Sequence, residues 1–129
     1  MIDIDDNALN RARMNAEKFG IEATYLLGNL LKAHTTTSYD VLLCNLPYIP
    51  NNYPINDAVM HEPDIALYSG DDGLDHFKLL FEQLSSGGYG EPTVITESLH
   101  EQHEQLKKTA KLAGYRIINE RDLVQVFIK

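Results

Sequence analysis

Cysteine occurs once in this sequence, at Cys44. One thiol cannot build a disulfide framework, and its isolation fits a reducing compartment, with the cytoplasm as the default. Cations are scarce as well: 11 Lys and Arg stand against 19 Asp and Glu, for a net charge of −8. That balance disfavours a broad electrostatic grip on nucleic acid, while leaving room for a local basic patch. No run approaches the roughly 18 apolar residues of a membrane span. The opening MIDIDDNALN is acidic and holds no signal-peptide run. Repeats, low-complexity tracts and internal linkers are missing too. What remains is 129 residues, 43 % hydrophobic and 23 % charged, the make-up of one globular domain with one core.

The patterning predicts an α/β alternation. DIDDNALNRARMNAEKFG reads as a helix. Asp5 or Asp6 caps it, Ala8, Leu9, Ala12, Ala16 and Phe19 recur at helical spacing, and Gly20 stops it. IEATYLL after it reads as a strand. SYDVLLC reads as a second strand whose apolar residues are consecutive, the pattern of a strand covered on both faces in a parallel sheet. Residues 45–72 form a long loop rich in Pro, Asn, Asp and Gly, and loops of that length are often functional. GLDHFKLLFEQLSSGG and LHEQHEQLKKTAKLAGY predict two glycine-stopped helices around a strand at PTVITE. YRIINERD and LVQVFIK predict a closing hairpin around Arg121–Asp122. The order implies an α/β sheet with an antiparallel last strand or pair. MIDID resembles the tail of a strand running straight into a helix, without the strand and glycine-rich turn that a doubly wound sheet places before it. The expectation is a chain that lacks its first unit.

In open α/β sheets, ligands bind beyond the carboxyl ends of the strands. DVLLCNLPYIP puts Asn45, Leu46, Pro47 and Tyr48 at such an end. Asn45 offers a carbonyl acceptor, and the Leu46 carbonyl, held extended before Pro47, offers another. Two acceptors converging on one planar NH2 group leave its nitrogen lone pair aimed outward, and Tyr48 can stack on a flat substrate. Methyl transfer is an in-line displacement that needs this approach geometry, and positioning carries most of the catalysis where no strong base is evident. On these four residues alone, a strand-end turn with a tyrosine lid on the core is an equal reading.

Other signals are weaker. His100 and His103 are three apart, not the four of the metalloprotease pattern, so the expectation there is a solvated helix start and no metal site. GGYGEP ends a helix and precedes a strand, so it is a turn rather than a dinucleotide fingerprint. Cys44 reads as a small core residue rather than a nucleophile. Asp71, Asp72 and Asp75 read as caps of the helix that follows, and Asp5, Asp6 and Glu17 as a solvated helix face.

Taken together, these blocks resemble the release-factor glutamine methyltransferase family. Asn45-Leu46-Pro47-Tyr48 is similar to the Asn-Pro-Pro-Tyr signature of S-adenosylmethionine-dependent methyltransferases that act on planar nitrogens. HEPDIALYSGDDGLDHFKLL resembles that family's Glu-Pro-x-x-Ala-Leu block followed by Asp-Gly and a helix. ITESLHEQ resembles its Glu-x-x-x-x-Gln segment, and DIDDNALN its Asp-Ile-Ser-Pro-x-Ala-Leu helix. The likeness runs in order over nearly the whole chain.

The resemblance implies a Rossmann-like methyltransferase sheet with an antiparallel last strand, truncated at the N-terminus. It implies one partial catalytic domain over 1–129, S-adenosylmethionine as cofactor, and a peptide chain release factor as protein substrate. Position by position, Asp3 matches the acid that binds the cofactor ribose, and Asn29 stands where an Asp usually lies near the adenine. Asn45 and the Leu46 carbonyl match the groups that hold the glutamine amide, with Asn45 also beside the cofactor. Pro47 fixes the loop, and Tyr48 packs by substrate and methyl donor. Glu62 matches a carboxylate that either fixes the loop or touches substrate.

Two departures stand out. Leu46 replaces a family Pro, which unlocks φ at that position. Asn-Leu-Pro-Tyr is also the form found in ribosomal-RNA adenine dimethylases, so an RNA adenine is the competing substrate. The family's glycine-rich first motif and its N-terminal helical domain have no counterpart in these residues, and an inactive fragment is the third reading.

Overall fold

A computed structural model describes residues 1–33, 38–55 and 61–129 of the chain. The chain divides into two compact units, Met1–Thr37 and Ser38–Lys129.

The first unit is a small β-α-β arrangement. Strand β1 (Ile2–Asp3) leads into helix α1 (Asp6–Phe19), which leads to β2 (Leu26–Leu27) and a 3-10 turn at Leu30–Ala33. The predicted capping holds: the Asp5 side chain accepts from the Asn7 N–H at 2.9 Å, an extended residue closing the first turn. Gly20 ends α1 in the left-handed region at φ 65°, and the Ile21 N–H returns to the Ala16 carbonyl at 2.9 Å. Leu9 is buried, but Phe19 is 69 % exposed, so the apolar stripe stops short of the last turn. The strand expected over IEATYLL shrinks to Leu26–Leu27, paired parallel with Ile2–Asp3. The ladder runs only where β1 offers backbone: the Leu26 N–H donates to the Met1 carbonyl and the Gly28 N–H to that of Asp3.

The second unit is a four-stranded mixed sheet with helices. Its strands are β3 (Val41–Cys44), β4 (Thr93–Glu97), β5 (Arg116–Arg121) and β6 (Val124–Ile128), in spatial order β3-β4-β6-β5. β3 and β4 are parallel, and β6 runs antiparallel to both of its neighbours. The closing hairpin lies where expected, with Asp122 at φ 52°, a left-handed turn position that Asp tolerates. The predicted helices are α3 (Asp75–Ser86) and α4 (His103–Leu112), and α2 (Asp64–Leu67) is a single extra turn.

Burial alternates along β4, with Val94 and Thr96 inside, as a sheet with one packed face requires. Phe77, Leu80, Phe81 and Leu84 of α3 join Leu106 and Ala110 of α4 in the core. The Phe81 ring sits edge-on to Tyr115 at 5.5 Å and to Phe127 of β6 at 5.7 Å, a favoured aromatic geometry.

Two expectations change. β3 is an edge strand of this sheet, so its alternate residues Val41 and Leu43 are 53 % and 83 % exposed rather than covered on both faces. The stretch 45–72 is not all loop. Ile49 pairs in parallel with Tyr68 as an isolated bridge, and α2 precedes it; residues 56–60 lie outside the described residues. Among the described residues no helix is long and apolar enough to cross a membrane.

Phe127→Ala should destabilise the second unit by about 3–5 kcal/mol, the usual cost of emptying a buried ring site. Urea unfolding followed by circular dichroism reads it, and a loss under about 1 kcal/mol would contradict this account of the core.

Candidate functional site

The site is built where two parallel strands end together. Cys44 closes β3 opposite Thr96, and Glu97 closes β4 one residue further on. Asn45 therefore leaves the sheet beside Glu97, and the Thr96 hydroxyl donates to the Cys44 carbonyl at 3.1 Å, fixing the point of exit. Asn45 is exposed, while Leu46, Pro47 and Tyr48 are half-buried. Neither the Asn45 side chain nor the Leu46 carbonyl is hydrogen-bonded to another described residue. The two acceptors singled out in the sequence are thus free to receive a ligand's NH2 group.

Tyr48 is anchored at both ends. Its hydroxyl donates to Glu97 Oε1 at 2.8 Å, and its carbonyl accepts from Gln102 Nε2 at 2.7 Å. Burial pushes the hydroxyl up to about 12, helped by the hydrogen bond to Glu97 and by the charges of Glu97 and Glu62. At neutral pH the ring is therefore an uncharged donor held in one orientation. Burial likewise pushes the Cys44 thiol up to about 12, which leaves it an inert packing residue rather than a nucleophile.

Beyond Tyr48 the chain is stitched to the segment after α2. The Ile49 N–H donates to Leu67, the Ser69 N–H to Ile49 and the Asn51 N–H to Gly70, all near 2.9–3.0 Å. The Asn51 side chain adds a bond to Asp71 at 3.2 Å. The Glu-Pro-x-x-Ala-Leu block thus provides the backbone against which the strand-end loop is laid. Of the three acids expected to cap α3, Asp72 accepts from the Leu74 N–H and pairs with Lys78, Asp75 also pairs with Lys78, and Asp71 turns to Asn51.

Asp3 and Asn29 lie in the first unit. Asp3 ends β1 and Asn29 follows the end of β2, so both stand at the carboxyl ends of one parallel pair. One carboxylate oxygen of Asp3 accepts from the Asp5 N–H at 2.9 Å. The other carboxylate oxygen has no hydrogen bond among the described residues. Glu62 is exposed. His100 and His103 face each other edge-on at 5.2 Å; His100 is exposed as expected, but His103 is buried, with Nδ1 3.5 Å from Glu120. No group of three metal-ligating side chains occurs among the described residues.

Glu97 and Gln102, which the sequence alone gives no role, both hold Tyr48. The available signal was their spacing, Glu-x-x-x-x-Gln directly after a strand.

No family model matches the chain. Named relatives do. It is 37 % identical to the release factor glutamine methyltransferase of Deinococcus radiodurans over 75 residues, which are 57 % of this chain and 27 % of that protein. It is 30 % identical to the release factor glutamine methyltransferase of Coxiella burnetii over 124 residues, 93 % of this chain and 45 % of that protein. A third relative, the ribosomal protein uL3 glutamine methyltransferase of Bordetella pertussis, is 35 % identical over 78 residues, 57 % of this chain and 26 % of that protein. The chain spans less than half the length of these relatives. A mixed sheet with an antiparallel last strand, in a chain whose relatives are methyltransferases, defines the class: a Rossmann-like methyltransferase fold. Over the part that it spans, the chain is similar to the release factor glutamine methyltransferases.

Glu97→Gln removes both the charged acceptor and the nearest negative charge at Tyr48, so the Tyr48 hydroxyl should titrate closer to the ordinary value near 10. Absorbance titration of tyrosinate against a Tyr48→Phe control reads this directly. In the native chain the folded hydroxyl titrates above the unfolded one. The stability it contributes is therefore complete below about pH 10 and lost as the pH rises toward 12. An unchanged Tyr48 titration in Glu97→Gln would break the link.

Proposed function

We propose that this chain is catalytic machinery of an S-adenosylmethionine-dependent enzyme that methylates the side-chain amide nitrogen of glutamine in a peptide chain release factor, in the cytoplasm. The observation that carries the reading is the pair of unengaged acceptors, Asn45 Oδ1 and the Leu46 carbonyl, next to a Tyr48 locked on Glu97. The relatives' names support the substrate class. The Coxiella match continues through residues of both units, which supports reading 1–129 as part of one catalytic domain.

Each residue has a task in this reading. Asn45 and the Leu46 carbonyl accept the two amide hydrogens and so turn the nitrogen lone pair outward. Pro47 holds the backbone extended before it. Tyr48 covers the flat amide with its ring. The residues present fit the cofactor: Asp3 has a free carboxylate oxygen for a ribose diol, and Asn29, exposed at the end of β2, accepts or donates without adding charge. When bound, the cofactor supplies an electrophilic methyl group on a sulfonium and leaves as the neutral thioether. The amide nitrogen gains that methyl and gives up one proton to solvent past the exposed Asn45. The chain supplies alignment rather than a strong base, which is where intramolecular-like rate gains arise.

Calorimetry with S-adenosylmethionine should show micromolar binding to the full chain, about −8 kcal/mol. No heat at millimolar cofactor would mean that these residues do not bind it unaided. With cofactor and purified release factor, mass spectrometry should find one methyl group on a glutamine. Asn45→Ala should lower that rate by about 10²–10³, as removal of a reacting-centre hydrogen bond typically does. Methylation of RNA adenine and not of the protein would replace the substrate in this reading.

A further inference from the structure

We propose that Gln102 is the positioning residue of the strand-end loop, a three-way clamp that holds Tyr48 and the Leu46 carbonyl in their binding geometry. The clamp's relevance to methyl transfer rests on the function proposed above; its existence does not.

One side chain reaches three separate segments. Gln102 Oε1 accepts from the Leu99 N–H at 2.9 Å. Its Nε2 donates to the Tyr48 carbonyl at 2.7 Å and to the Asp72 carbonyl at 2.8 Å. Only a primary amide carries one acceptor and two donors in this plane, so Gln102 satisfies both hydrogens and one lone pair at once. The residue is buried, at 6 % exposure, so water offers these carbonyls little substitute.

The bond to Leu99 is a local cap, three residues back. The other two bonds reach 54 and 30 residues back in sequence and have no role in capping α4. They fasten the loop after β3 to the turn before α3. Gly73 closes the arrangement. It adopts φ 72°, and a Cβ there would collide with both Gln102 Nε2 and the Tyr48 carbonyl. The clamp therefore depends on an amide at 102 and on the absence of a side chain at 73. It acts two residues from the Leu46 carbonyl, on the backbone of the residue whose hydroxyl is tied to Glu97.

Gln102→Glu separates the cap from the clamp. A carboxylate still accepts from Leu99 but has no hydrogens for Tyr48 and Asp72, and it faces two carbonyl oxygens. Gly73→Ala opens the same junction while leaving Gln102 intact, and it serves if the first variant does not fold. Amide hydrogen exchange, followed by NMR on the full chain, should rise by about tenfold or more at Ile49 and Asn51, with the core amides of Phe81 and Val94 within about twofold of wild type. Unchanged exchange at 49 and 51, or a rise in step with the core, overturns the clamp. With a synthetic glutamine peptide as substrate, Gln102→Glu should raise KM by about tenfold while calorimetric affinity for S-adenosylmethionine stays unchanged. An equal loss of cofactor affinity would reduce Gln102 to general stability. If the wild-type chain transfers no methyl group, the proposed function fails, and hydrogen exchange still decides the clamp.

Discussion

The register between β3 and β4 governs where chemistry can occur in this chain. Because Cys44 stands opposite Thr96, the two strands release Asn45 and Glu97 side by side. Everything at the site follows from that alignment: the tyrosine four residues past β3 meets the carboxylate that ends β4, and Thr96 pins the last carbonyl of β3. A slip of one residue would turn Val94 and Thr96 outward, so the burial of β4 and the composition of the site are enforced by the same pairing. Core packing and the geometry of the candidate site here are one constraint seen from two ends of a strand.

Electrostatics at the site run against the overall charge. The chain carries −8, yet the groups that would touch an amide are neutral: a carboxamide, one backbone carbonyl and a phenol kept protonated by burial and by Glu97. A neutral amide has no charge to attract, so specificity rests on hydrogen-bond geometry. Such geometry requires a rigid loop. The parallel stitching of Ile49 to Leu67 and of Asn51 to Gly70 supplies that rigidity where Leu46 has given up the first proline's fixed φ.

Much of this was legible in the sequence because it is local. Asp5 and Gly20 announce both ends of α1, and the apolar run at 41–44 followed by Asn45 announces a strand end. What escaped is long-range. The partner of Tyr48 lies 49 residues away and that of its carbonyl 54 away, beyond any periodicity. The consecutive apolar run of β3 promised two covered faces, but apolarity does not say which neighbours a strand will have. The short β2 shows the same limit: the residues at 21–25 have strand propensity, yet only Leu26–Leu27 form a ladder.

β6 is the last strand in sequence and an inner strand in space, lying between β4 and β5. A ribosome delivers β3, β4 and β5 before it, and until it arrives β4 and β5 have no common partner and Phe81 lacks one of its two ring contacts. The sheet is therefore assembled from its middle last, and the second unit cannot acquire its native core during synthesis until Phe127 has cleared the exit tunnel. A nonsense codon at 123 would remove not a fraying edge but the keystone, and would release a chain whose strand-end loop is complete in sequence yet has only the β3–β4 pair to hold it.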